Sequence, residues 1–312
     1  MNLDFPGKRV LILGLPYFGE ILEQQLRSRG WQARFLPHPG RDVRAWLRVA
    51  RMAKSADAIY LISSRAERRS PQDVLLRATR KPVVIHWVGT DVLIAKEEFD
   101  RDRLAQSVVE RPVHWCDASW LADELAEMGV RAEYVALPVP GLAAELVPLP
   151  EAFRVLLYLP VDAFDREVFD METILRLPAA FPEIEFTLIP SPPTSLPGPW
   201  PANLRAPGWV TDMDALWRET TVYIRLTSHD GMPFTVLEAL SRGRQVVFTQ
   251  PLPHTVTARG FEGVSAALGG LLRAHQAGRL GLNVDGARWA RETFDPMRCL
   301  DEIDRRLRAL FA

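Results

Sequence analysis

An α/β architecture of two parallel-sheet units is predicted by three features of the 312-residue sequence. Strand-type and helix-type segments alternate from residue 9, prolines interrupt them between 137 and 150, and the alternation restarts at 153. Such alternation builds parallel sheets with helices on both faces, and a chain of this length exceeds one ordinary core. The expected division is 1–140, 141–285 and a closing helix, 286–312, that returns to the first unit. The two sheets are expected to face a shared ligand cleft.

In the first unit, residues 9–13 (Arg-Val-Leu-Ile-Leu) are a buried-strand run, 14–19 a turn between two glycines, and 21–29 a helix stopped by Gly30. Residues 32–36 read as strand, 41–54 as helix, 58–62 as strand, 71–79 as helix and 81–87 as strand. Pro138, Pro140, Pro148 and Pro150 then continue neither element, which makes this stretch a linker. The second unit opens with a strand at 153–159 and a helix at 168–180, then a strand at 184–189 and a proline-rich loop at 190–203. A strand at 221–226, a helix at 235–242 and a strand at 245–249 follow.

Composition narrows the function classes. With 47% hydrophobic and 25% charged residues the chain suits a globular protein in water. No apolar run approaches the ~18 residues of a membrane span. Asp4 and Pro6 break any leader-like start. Cys116 and Cys299 lack metal-ligand spacing and suit a reducing compartment, so the expected location is the cytoplasm. A net charge of −1 argues against a nucleic-acid partner. Basic residues nevertheless crowd the first third. Within 41–54, Arg41, Arg44, Arg48 and Arg51 share an arc of about 80°, with Val43, Trp46, Leu47 and Ala50 expected opposite. That face is either solvated or a patch for anionic lipid or an anionic acceptor, which would place the protein peripherally at a membrane.

The richest segment is 221–240 (TVYIRLTSHDGMPFTVLEAL), a strand, a short polar loop and a helix start. Amides at a helix start suit a diphosphate, Gly231 allows close approach of the backbone, and Glu238 can accept two hydrogen bonds from a ribose diol. Asp230, Gly231, Glu238 and then Gly243 before Gln245-Val246-Val247 resemble the Glu-Gly-Phe-Gly-Leu-Pro-Val-Leu-Glu-Ala motif and Gly-x-Pro-Val-Val continuation of family-four (group 1) glycosyltransferases. Residues 203–210, including Trp209 and Val210, resemble that family's nucleotide-base segment, and Ser119-Trp120-Leu121 the end of its first domain.

The resemblance implies the GT-B fold, two Rossmann-like domains facing a central cleft. It also implies transfer of a hexosyl group from a nucleotide diphosphate sugar to an acceptor hydroxyl, with retained configuration and neither cofactor nor metal. The acceptor is unspecified, lipid-linked or anionic acceptors being compatible. Asp230 would contact the donor sugar, Glu238 the ribose, and amides around Gly231, Met232 and Pro233 the sugar and phosphates.

Departures from the family pattern shift other roles. The family's Arg and Lys after the first strand of the second domain are missing from 159–166, where only Arg166 is basic. Arg225 is the expected substitute, its fork suited to phosphate, unless it pairs with Asp230 or Glu238. His229 is either a donor contact or part of the turn. Gly14 and Gly19 lack the Gly-x-Gly-x-x-Gly spacing, and Glu20 stands where a P-loop needs Lys. That loop is a plain turn or an approach to donor phosphate or acceptor. Val88 occupies the place of the family's histidine, and His86 reads as a core residue. Asp91 is either an acceptor-facing orienter or base or a helix N-cap. Two other classes fit the same donor motif: a GT-B sugar-nucleotide epimerase and a catalytically silent sugar-nucleotide-binding protein.

Overall fold

The computed structural model describes residues 7–162, 166–196 and 198–312. Its contacts divide the chain into two units, Met1–Pro138 with Pro296–Ala312, and Val139–Asp295. In the first, β1 (Arg9–Gly14), β2 (Gln32–Pro37), β3 (Ala58–Ile62), β4 (Val83–Trp87), β5 (Val113–Cys116) and β6 (Ala132–Tyr134) form one parallel sheet. Its order is β2-β1-β3-β4-β5-β6. The crossovers carry α1 (Pro16–Ser28), α2 (Val43–Ser55), α3 (Pro71–Ala78), α4 (Thr90–Asp100), α5 (Gln106–Glu110) and α6 (Ser119–Glu127). Because helices cover both faces, the central strands are buried throughout, which is why β3 and β4 read as unbroken apolar runs.

The predicted turn at 14–19 is shorter than expected. Pro16 opens α1, where a missing N–H costs nothing, and Gly19 lies inside that helix. A β-carbon on Gly19 would stand 2.2 Å from the Phe35 ring, and one on Gly14 1.8 Å from the Ile62 carbonyl oxygen. Both glycines therefore serve close packing of α1 on β2 and of β1 on β3.

The second unit holds β7 (Arg154–Leu159), β8 (Glu185–Pro190), β9 (Leu204–Arg205), β10 (Val222–Arg225), β11 (Gln245–Phe248) and β12 (Val256–Thr257), all parallel in the order β12-β11-β10-β7-β8-β9. Its helices are α7 (Met171–Ala180), α8 (Met213–Arg218), α9 (Phe234–Ser241), α10 (Gly260–Gln276) and α11 (Val284–Thr293). Leu157, Leu159, Ile174, Leu177, Leu188, Ile224, Val247 and Leu268 build its core. Residues 163–165, within the 159–166 stretch, Pro197 of the proline-rich loop, and the opening residues 1–6 with Asp4 and Pro6 lie outside the described residues.

The closing helix is in fact two. Pro296 cannot continue a helix and biases the residue before it away from helical geometry, so α11 stops at Thr293 and α12 (Pro296–Ala309) starts afresh. Helix α11 packs on α9 within the second unit. Helix α12 belongs to the first, where Asp304 accepts from Trp31 Nε1 at 2.5 Å and Asp301 pairs with Arg29 at 2.7 Å. Among the described residues no helix is long and apolar enough to cross a membrane. Cys116 and Cys299 are buried free thiols.

Candidate functional site

In the second sheet the chain winds one way from β7 to β8 and β9 and the other way to β10, β11 and β12. Loops leaving the carboxyl ends of β7 and β10 therefore diverge, and such a switch point is where open α/β sheets take ligands. Strand β10 ends there in Arg225. Its Nε donates to Asp230 Oδ2 at 2.6 Å, and the guanidinium lies 4.6 Å from the Tyr158 ring centre and 5.1 Å from that of Phe169. Burial works against the guanidinium charge, but the Asp230 carboxylate outweighs it and leaves the Arg225 pKa above its ordinary value. A cation this far from water needs a counter-charge. The loop is fixed independently: Thr227 N donates to Thr249 Oγ1 at 3.1 Å and Ser228 N to the Val168 carbonyl at 2.7 Å.

Met232 and Pro233 are buried at the start of α9, whose N-cap is Pro233, a residue with no side chain to offer the first-turn amides. Gly231 is buried in the loop before them. One turn into α9, Glu238 is half-buried, and its carboxyl pKa is pushed up to about 7 by burial, with Arg242 pulling the other way. Arg242 donates to the Gly141 carbonyl at 2.8 Å and to Asp214 at 2.6 Å. Gly141 lies over the Glu238 carboxylate, so close that a β-carbon there would be 2.3 Å from Oε1.

Arg166 stands elsewhere than expected of a free phosphate ligand. Its Nε donates to the Pro160 carbonyl at 2.6 Å, Nη1 to the Ser195 carbonyl at 2.7 Å, and Nη2 to the Ser191 and Ser195 hydroxyls at 3.0 Å. The guanidinium staples the loops that follow β7 and β8. After β9, Trp209 projects into solvent, 81% exposed, beside a half-buried Val210. His229 is buried within the loop.

In the first unit the reversal falls between β1 and β3. Asp91, expected to face an acceptor or to cap the helix, is 3% exposed in the first turn of α4, and Gly89 holds the cap position. Its oxygens accept from the amides of Val88 at 3.1 Å and Ser64 at 3.2 Å, tying the loops after β4 and β3 together. Burial pushes its pKa up to about 7 against those hydrogen bonds. His86 is a satisfied core residue, between Tyr60 Oη at 2.6 Å and the Val135 carbonyl at 2.9 Å. That carbonyl requires the proton on Nε2, so Nδ1 accepts from the tyrosine. Burial drives the His86 pKa down to about 3.

Sequence reasoning missed Tyr158, Phe169, Gly141 and Arg242, which shape the surroundings of Arg225 and Glu238. Gly141 did carry a signal, since a Pro-Gly pair in a linker can mark a close approach as well as a turn. It missed Arg259 too, a cation at the carboxyl edge of β11 that donates to the Thr249 carbonyl at 3.0 Å.

No family model matches the chain, and no curated protein matches it. Among solved structures it is similar to the sucrose-phosphate synthase of Thermosynechococcus elongatus at 10% identity, with 97% of this chain aligned to 99% of that one and a TM-score of 0.72. It is also similar to the pneumococcal O-GlcNAc transferase GtfA in complex with UDP and GlcNAc, at 12% identity over 86% of this chain and 60% of that one, TM-score 0.57. The calicheamicin glycosyltransferase CalG4 matches at 15% identity over 96% and 98% of the two chains, TM-score 0.51. At these identities the likeness is one of fold, and the fold is GT-B.

Proposed function

We propose that the protein is a glycosyltransferase that moves a hexosyl group from a nucleotide diphosphate sugar to an acceptor hydroxyl, retaining configuration and needing no metal. The reading rests above all on one juxtaposition. Asp230, in the loop that leaves β10, and Glu238, one turn into α9, flank the start of that helix at the switch point of the sheet. Asp230, turned by Arg225, would accept from donor-sugar hydroxyls, and Glu238 from the ribose diol. The start of α9 would meet the diphosphate, whose growing negative charge on departure is what catalysis must stabilise. Asp91 would act by shaping the loops on the first sheet. The test is acceptor-dependent release of nucleotide diphosphate across a donor panel, with Asp230→Ala as comparison. Equal release by the two proteins would refute the assignment.

One observation favours a second reading. Arg225 is committed to Asp230 and Arg166 to loop carbonyls and hydroxyls, so neither brings free positive charge to a diphosphate. That arrangement suits a catalytically silent protein that binds a sugar nucleotide. Donor-induced thermal stabilisation without turnover would support it, since ligand binding raises stability by mass action.

A further inference from the structure

Helix α2 (sequence VRAWLRVARMAKS) contains no acidic residue, and Arg41, Arg44, Arg48, Arg51 and Lys54 have no acidic partner among the described residues. Other helices neutralise their arginines one turn away, as in Arg27–Glu23, Arg176–Glu172 and Arg308–Asp304. The apolar side of α2 is also not where its amphipathic pattern would put it. Val49 and Ala53 are buried, and Trp46 anchors the helix through Nε1 to the Gly40 carbonyl at 3.1 Å. Val43 is 72% exposed, Leu47 67%, and Ala50 is exposed as well. At about 100° per residue, Val43, Leu47 and Ala50 form one strip and Arg44, Arg48 and Arg51 an adjoining one. The solvent side is thus split lengthwise between uncovered aliphatic carbon and unpaired guanidinium.

We infer that this face of α2 docks on the surface of an anionic lipid bilayer. The arginine strip complements lipid phosphates and acidic headgroups, while Val43 and Leu47 enter the headgroup–acyl boundary, which removes them from water. A nucleic acid or acidic protein would satisfy the cations alone. Two exposed aliphatics one turn apart are what favour lipid. The inference does not depend on the donor site, and binding is read without nucleotide.

The experiment is co-sedimentation of the full chain with vesicles of phosphatidylcholine alone or with about 30% phosphatidylglycerol, at low and high salt. The parent is expected to bind the anionic vesicles at least tenfold better than the neutral ones. Arg44→Glu/Arg48→Glu and Val43→Ser/Leu47→Ser should each bind the anionic vesicles roughly tenfold more weakly with unchanged circular dichroism, since all four side chains are exposed. Leu47→Trp should shift its added fluorescence to shorter wavelength on anionic vesicles. Absence of binding to anionic vesicles overturns the inference. So does undiminished binding by the serine variant, which would make the face a purely electrostatic site for a polyanion.

Discussion

Gly141 and Glu238 lie in such close contact that a single methyl group cannot be added between them: the β-carbon would stand 2.3 Å from Glu238 Oε1. The obstructing atom is the tip of a side chain, so the fold can yield while the carboxylate cannot stay. Gly141→Ala is expected to change stability by less than about 1 kcal/mol and to weaken donor binding roughly tenfold, about 1.4 kcal/mol. Calorimetric titration with nucleotide sugars, alongside thermal unfolding, separates the two effects.

Glu238 makes donor binding dependent on pH. Its pKa near 7 leaves roughly a tenth of it ionised one pH unit below that value and nine tenths one unit above. A ribose diol that donates to the carboxylate selects the ionised form, so affinity should rise roughly tenfold from pH 6 to 8. Glu238→Gln should bind more weakly and show a flat profile. A profile falling with pH in the parent would assign the proton the opposite role.

The Arg225–Asp230 pair carries its own energetic signature. Both side chains are largely buried, 12% and 15% exposed, so removing either leaves an uncompensated charge. Arg225→Met or Asp230→Ala should each cost about 3 kcal/mol of unfolding free energy, and the two together less than the sum. Denaturant unfolding of the four proteins in the cycle measures the coupling, and strict additivity would show that the pair does not act as a unit.

Asp91 sets a slope in stability against pH. Its folded pKa is raised from 3.8 to about 7, so its contribution is fully present below pH 4 and is lost as pH rises towards and through 7. The loss amounts to about 4 kcal/mol at most. Relative to Asp91→Asn, the parent should lose stability across that interval. Parallel curves would mean that the carboxyl is ionised at little cost.

Much of this was legible in residue order. The apolar runs at 9–13, 58–62 and 153–159 announced β1, β3 and β7 because strands covered on both faces need no polar alternation. Asp230, Gly231 and Glu238 stood out because they share one strand–loop–helix segment, so their proximity is local. What stayed hidden depends on contacts distant in sequence. Nothing near Arg225 points to Tyr158 as its cover, and nothing near Arg166 announces Ser191 and Ser195 as acceptors. Helix α2 was misjudged because its pattern carries two apolar strips, and only packing decides that Val49 and Ala53, not Val43 and Leu47, face the sheet. The short strands β9 and β12, two residues each, carry no periodicity to read.

The first unit closes around residues distant in sequence: Trp31 donates to Asp304 and Arg308 to the carbonyl of Arg29 across most of the chain, and Arg306 pairs with Glu133 across about half of it. On the ribosome, Val139–Asp295 therefore emerges, and can mature, while the earlier-born half still waits for its last brace. The expected order of folding then reverses the usual amino-terminal-first course of synthesis. A nascent chain stalled after Asp295, with a linker to clear the exit tunnel, should resist protease across the second half and remain cleavable in the first. Equal resistance of both halves would show that the late helix only trims a domain already complete.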